Sequence, residues 1–200
     1  MIIQDRPSAS NATHPPDPAP GKMWCMSAVL ITGGSGAGKS SVAAMLADRG
    51  LVAIDADSDQ ELARWVDASG RVADRPAEPD AAWLRQHQWA WDPRRLDELI
   101  SAADPATLFV CGNAANEISL MDRFDRVLLL VIDEPTMLAR LDEPGRDNDF
   151  GCAGDTRELL RRWLPGYQAC MHAHGAIPID ATKPLHQVTD TILTASRLQA

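Results

Sequence analysis

Unbroken apolar runs alternate along this chain with stretches whose apolar positions recur every three or four residues. Residues 28–32 read AVLIT, 51–54 LVAI, 107–111 TLFVC, 126–132 RVLLLVI and 176–179 AIPI. Runs that short, apolar at successive positions, predict strands buried on both faces of a sheet. Helical spacing follows at 40–48, 134–141, 157–172 and 185–198, and Asp92-Pro93 opens a further helix. Asp92 and Asp133 stand at cap positions, and Pro93 and Pro135 sit in the first turns that follow. Residues 59–66 predict one more short helix, and Pro165 predicts a bend or break within 157–172. Strand and helix alternate throughout, which predicts an α/β fold: a three-layer sandwich with a parallel sheet of about five strands.

Three segments fall outside this alternation. Residues 1–24, with Pro15, Pro16, Pro18 and Pro20, predict a flexible tail ahead of one domain over 25–200. Residues 67–91 hold Trp83, Trp89 and Trp91 and are too long for a plain connection, which implies a task. The tryptophans would either wall an acceptor or anchor the excursion to the core. Residues 142–154 are polar and carry Gly145, Gly151 and Gly154, so a mobile lid is expected there, with Phe150 as its anchor.

Composition narrows the partners. The chain has 200 residues, 45% of them hydrophobic, enough for one core. A net charge of -9 without a basic run argues against nucleic acid. No apolar run reaches membrane-span length and the amino terminus lacks a signal-peptide layout, so a cytoplasmic protein without a membrane partner is expected. Cys25, Cys111, Cys152 and Cys170 form no CxxC pair, and the histidines show no metal spacing. Nothing in the sequence sets an oligomeric state.

The chemistry begins where the first strand ends. Gly33-Gly34-Ser35-Gly36-Ala37-Gly38-Lys39-Ser40 matches GxxxxGK[ST] in full, with Ser41 next in the helix. Its glycines let backbone N–H groups cradle phosphate oxygens, and the helix start adds its positive end. Lys39 brings a charge to the β- and γ-phosphates, and the Ser40 hydroxyl can ligate Mg²⁺. ATP with Mg²⁺ is the expected nucleotide. Two readings follow: a kinase with a small-molecule phosphoryl acceptor, or an ATPase or nucleotide-binding regulatory module. The second draws on VLLLVIDE at 127–134, where Asp133 would hold the metal and Glu134 activate water.

Asp55, Asp57 and Asp59 follow the second strand, beyond the carboxyl end where ligands of such sheets bind. A carboxylate there can deprotonate an attacking hydroxyl or hold Mg²⁺. Three acids suit an acceptor with a hydroxyl or amine, although Arg64, Arg71, Arg75 and Arg85 keep a nucleoside or nucleotide acceptor open. Asn113 and Asn116, after the third strand, could bind a polar acceptor or cap a turn.

Several segments resemble the shikimate kinase and adenylate kinase group of small P-loop kinases. Besides the phosphate loop, IDATKP at 179–184 resembles the stretch that wraps adenine. Residues 128–141 resemble the strand and helix that end in an arginine before a lid, and DSDQEL at 57–62 resembles the segment after the second strand. The resemblance covers roughly 27–198 and implies a nucleoside-monophosphate-kinase-like P-loop fold. It implies adenine contacts from Thr182, Lys183 and Pro184, an Arg140 stacked on adenine, and Asp57 as base and metal ligand with Asp55 in reserve. Arg146 of the lid, or one of Arg157, Arg161 and Arg162, would reach the transferring phosphoryl group. The asparagine-rich CGNAAN at 111–116 replaces the glycine triplet of shikimate kinases and leaves the acceptor undefined.

Overall fold

The computed structural model describes residues 27–144, 150–152 and 154–196. Residues 1–26, Arg146 with the central part of the expected lid, and 197–200 lie outside the described residues.

The five apolar runs form one parallel sheet. Its strands are β1 (Ser27–Gly33), β2 (Val52–Asp55), β5 (Thr107–Cys111), β6 (Arg126–Val131) and β7 (Ile177–Asp180), in the order β2-β5-β1-β6-β7. Alternation along β1 explains the three layers. Val29 and Ile31 face one core, with Val42 and Leu46 of helix α1 (Lys39–Asp48) and Val188 and Ile192 of α6 (Leu185–Ser196). Ala28 and Leu30 face the other, with Leu96 and Ile100 of α3 (Pro93–Ala103). Strands covered on both sides need no polar face, hence the unbroken apolar runs.

The predicted caps are present. The Asp92 carboxylate accepts from the N–H groups of Arg94 and Arg95, and that of Asp133 accepts from Thr136 at the start of α4 (Glu134–Leu141). Chain order runs from β1 outward to β2, returns beside β1 as β5, and crosses β1 to β6. That reversal puts the crevice for ligands at the carboxyl end of β1.

Two expectations are corrected. Residues 59–66 are not a helix: Ala63–Asp67 is a strand, β3, paired antiparallel with β4 (His87–Trp91), with Trp65 opposite Trp89. Asp67 closes the turn that follows by accepting from the N–H groups of Ser69 and Arg71, and Gly70 takes φ +81°. Pro165 does not break helix α5 (Gly154–Ala173), which is helical on both sides of it. Pro165 and Arg161 lie on its exposed side, where water can serve the carbonyl that proline leaves unpaired, while Leu160, Leu164, Tyr167 and Met171 bury the opposite side. Among the described residues no helix is long and apolar enough to cross a membrane.

Candidate active site

The phosphate loop leaves the centre of the sheet. β1 ends at Gly33, the chain turns through Gly36 and Gly38 at φ +78° and +95°, and α1 starts at Lys39. At Gly33 contact also requires glycine: a Cβ there would lie 2.9 Å from that of Ala37 and 3.0 Å from the Leu130 carbonyl oxygen. The Lys39 amine donates to the carbonyls of Gly33 (2.9 Å) and Gly34 (3.1 Å). Burial pulls its pKa down, against the pull of Asp57, Asp55 and Glu117. Ser40 and Ser41 are exposed in the first turn of α1.

Arg140, at the end of α4, braces the loop. Its guanidinium donates to the carbonyls of Gly36 (3.1 Å) and Ala37 (3.4 Å), and to that of Ala181 (2.8 Å) after β7. The segment that follows is held by Asp180, which accepts from the Thr182 N–H and hydroxyl and lies 3.6 Å from Lys183. One arginine thus ties the phosphate loop to the stretch carrying Thr182, Lys183 and Pro184.

The three acids after β2 have separate positions. Asp55 caps a single 3-10 turn, Ala56–Ser58, by accepting from the Asp57 N–H. Asp59 is bound to Arg95 at 3.0 Å and caps the next turn through Glu61 and Leu62. Asp57 is half-buried, and its Oδ1 accepts from the indole N–H of Trp89 at 2.9 Å. Burial raises its pKa, while Lys39 and the Trp89 hydrogen bond work the other way.

β4 is fixed against the loop after β5. The Ala115 N–H donates to the Trp89 carbonyl at 2.8 Å. The Asn116 amide brackets Trp91, accepting from its N–H (3.0 Å) and donating to its carbonyl (2.9 Å). Asn116 therefore serves structure. Asn113 lines a cavity of about 360 Å³ together with Asp57, Ser35 of the phosphate loop, Trp65, Trp89 and Trp163. Of the three tryptophans flagged in the sequence, only Trp89 borders that cavity. Trp91 is 2% exposed in the core, and Trp83 stacks on His87 at 4.2 Å.

Beneath the loop lies a polar group the sequence reading missed. Glu117 is 3% exposed and accepts from the Thr32 hydroxyl at 2.6 Å; Thr32 shares a second 2.6 Å hydrogen bond with the Tyr167 hydroxyl. Burial pushes the Glu117 carboxyl up to about 7. Tyr167 stacks on Trp163 at 4.1 Å, which links this network to the cavity wall. Nothing local in GNAANEISLM at 112–121 marks Glu117 as buried.

The arginines after the lid are engaged elsewhere. Arg157 pairs with Asp142 (2.8 Å), Arg161 with Glu134 (2.7 Å) and Arg162 with Glu158 (2.7 Å). Of the four arginines kept for a nucleotide acceptor, Arg64 pairs with Asp92 (2.8 Å), and Arg75 lines the cavity.

No family model matches the chain, and no curated protein matches it. Solved structures do resemble it. Shikimate kinase from Acinetobacter baumannii, in complex with shikimate, is 14% identical over 84% of this chain and 92% of that one, with TM-score 0.54. A gluconokinase from Sinorhizobium meliloti 1021 is 15% identical over 86% and 91%, with TM-score 0.51. Shikimate kinase from Bacteroides thetaiotaomicron is 13% identical over 84% and 97%, also with TM-score 0.51. At such identities the likeness is one of fold.

Proposed function

We propose that this chain, which has the fold of the small P-loop kinases, is an ATP-dependent kinase that transfers the γ-phosphate to a hydroxyl or amine of a small molecule. One observation carries the reading. Asp57 and Ser35 of the phosphate loop line the same cavity, and Asp57 is the strongest charge influence on Lys39. Donor and acceptor would therefore meet at one point.

The residues divide the work as follows. The loop amides and Lys39 hold the β- and γ-phosphates, and Lys39 exchanges its two loop carbonyls for phosphate oxygens. Thr182, Lys183 and Pro184 would border adenine, with Arg140 holding that stretch to the loop. Ser40 and Asp57 offer a hydroxyl and a carboxylate, hard oxygen donors of the kind Mg²⁺ takes, so the donor set fits. Bound there, the ion would neutralise charge on the phosphates. Asp57 orients the acceptor hydroxyl and accepts its proton, and Trp89 holds the carboxylate in place.

The ATPase reading is weaker because its carboxylates are engaged. Asp133 caps α4, and Glu134 pairs with Arg161. The test is acceptor-stimulated ADP release with calorimetric ATP titration. In Lys39→Met we expect turnover to fall by about 10²-fold or more, with the fold intact by circular dichroism. Unchanged turnover would remove this loop from the reaction.

A further inference from the structure

Four aromatic rings, those of Trp65, Trp89, Phe150 and Trp163, line the cavity beside Asp57. Trp65 and Trp89 face each other across the β3–β4 ribbon with centroids 5.7 Å apart and planes tilted by 58°. Phe150 lies 5.9 Å from Trp65, and Leu160 and Trp163 of α5 complete the walls. These are not merely core side chains. Trp65, Trp89 and Trp163 are half-buried and border open space, whereas Trp91 on the same ribbon is enclosed. Half-buried apolar surface lining a concave space is the usual setting of a small-molecule ligand.

From these walls we infer that the phosphoryl acceptor is a neutral molecule built on a flat heteroaromatic ring with a hydroxylated arm, the chemistry of a nucleoside. The inference rests on the kinase reading, because it assigns the hydroxyl to Asp57. A polyol would set several hydroxyls against indole faces, and each hydroxyl left without a partner costs about tenfold in affinity or more. An acceptor carboxylate or phosphate would want a cluster of cations. Arg75 is the only cationic side chain on the wall among the described residues, and the carboxylate of Asp57 lines the same wall. A ring fits instead: stacking on tryptophan suits any flat π-face, and the tilted indoles offer both face and edge.

Polar groups occur where such a molecule needs them. The amide of Asn113, half-buried on the wall, offers a donor and an acceptor that suit the edge of a heterocycle and not that of a plain phenyl ring. The Trp89 indole both bounds the ring space and donates to Asp57 at 2.9 Å. A ring stacked there carries its arm toward the carboxylate, and from there to the phosphate loop through Ser35. In the transfer, the arm's hydroxyl oxygen forms the new bond to the γ-phosphorus. The bond from that phosphorus to the bridging oxygen breaks, ADP departs with that electron pair, and Asp57 takes the hydroxyl proton.

The test uses the full chain saturated with a non-hydrolysable ATP analogue. Tryptophan fluorescence is followed while adenosine, cytidine, thymidine, 2-phenylethanol, shikimate or gluconate is added. The same six compounds are then offered with ATP, and ADP release is measured. We expect at least one nucleoside to quench fluorescence and to raise ADP release. Trp65→Leu should weaken its binding and raise its KM about tenfold or more, with kcat affected less, and Trp65→Phe should restore most of the loss. Quenching by nucleosides that Trp65→Leu abolishes, with ADP release unmoved by every nucleoside, would show a ring-binding site and overturn the nucleoside as phosphoryl acceptor. Three results would overturn the ring inference and leave the kinase reading standing. One is phosphorylation of shikimate or gluconate with a KM indifferent to Trp65→Leu. The others are preference for 2-phenylethanol and the absence of quenching by every nucleoside.

Discussion

At the scale of single residues, burial acts on Lys39 and Asp57 in opposite directions and moves both toward neutrality. A carboxylate whose pKa is raised is a better proton acceptor, which suits Asp57 as a base. Asp57→Asn should lower kcat by about 10²-fold or more while ATP affinity stays within about threefold, as checked by kinetics and calorimetry. Trp89→Phe removes the N–H that favours the ionised form, so the Asp57 pKa rises. The acid limb of kcat/KM should then move to higher pH, and an unmoved limb would separate Trp89 from the base. Glu117 offers a stability test. Its folded value of about 7 exceeds its ordinary 4.5, so the stability it contributes is complete below about pH 4.5 and lost as pH rises to about 7. That loss amounts to about 3 kcal/mol and should be absent in Glu117→Gln. The melting temperature of the wild type should therefore fall relative to the variant across that window. Residue types at fixed spacing made the phosphate loop and the acids after β2 legible. Glu117 and Tyr167 were not, because they meet Thr32 across 85 and 135 positions of chain.

At the scale of elements, the apolar runs identified the five parallel strands because burial on both faces leaves no polar position to blur them. The β3–β4 ribbon was misread for a related reason. Leu62 and Val66 fall at helical spacing, and the alternation that marks a half-exposed strand is short here. The turn at 67–70 carried the better signal. The ribbon's packing can be tested at Gly112, just beyond β5. A Cβ there would lie 2.6 Å from that of Ala56 and 2.7 Å from Trp91 Cζ2. Overpacking between backbone-fixed partners should make Gly112→Ala melt roughly 3–10 °C lower by calorimetry. Activity should fall with it, since Ala56 precedes Asp57 in the same turn. The brace from Arg140 to Ala181 makes a second element-scale prediction. If residues 182–184 border the base with their backbone, ATP should bind about tenfold or more tighter than GTP by calorimetry. Arg140→Ala should narrow that ratio.

At the scale of the whole molecule, topology accounts for the site. The reversal of strand order about β1 sets the phosphate loop at the centre of one sheet edge. β2 and β5 deliver Asp57 and Asn113 to the same edge, and β7 delivers the stretch after Asp180. The two-stranded ribbon, an addition to the sheet, lies over that edge and supplies Trp65 and Trp89 to the cavity wall. The general plan was legible in the sequence because it is written in local patterns. The cavity beside Asp57 was not, since its walls come from stretches scattered between Ser35 and Trp163. The central claim is that phosphate moves from ATP to a small molecule at this edge. The direct measurement is the fate of γ-³²P from ATP incubated with the protein and a nucleoside panel or a metabolite extract. The account predicts label in an organic phosphate ester, formed by the wild type and lost in Lys39→Met and Asp57→Asn. Label recovered solely as inorganic phosphate, at a rate indifferent to any added compound, would contradict it.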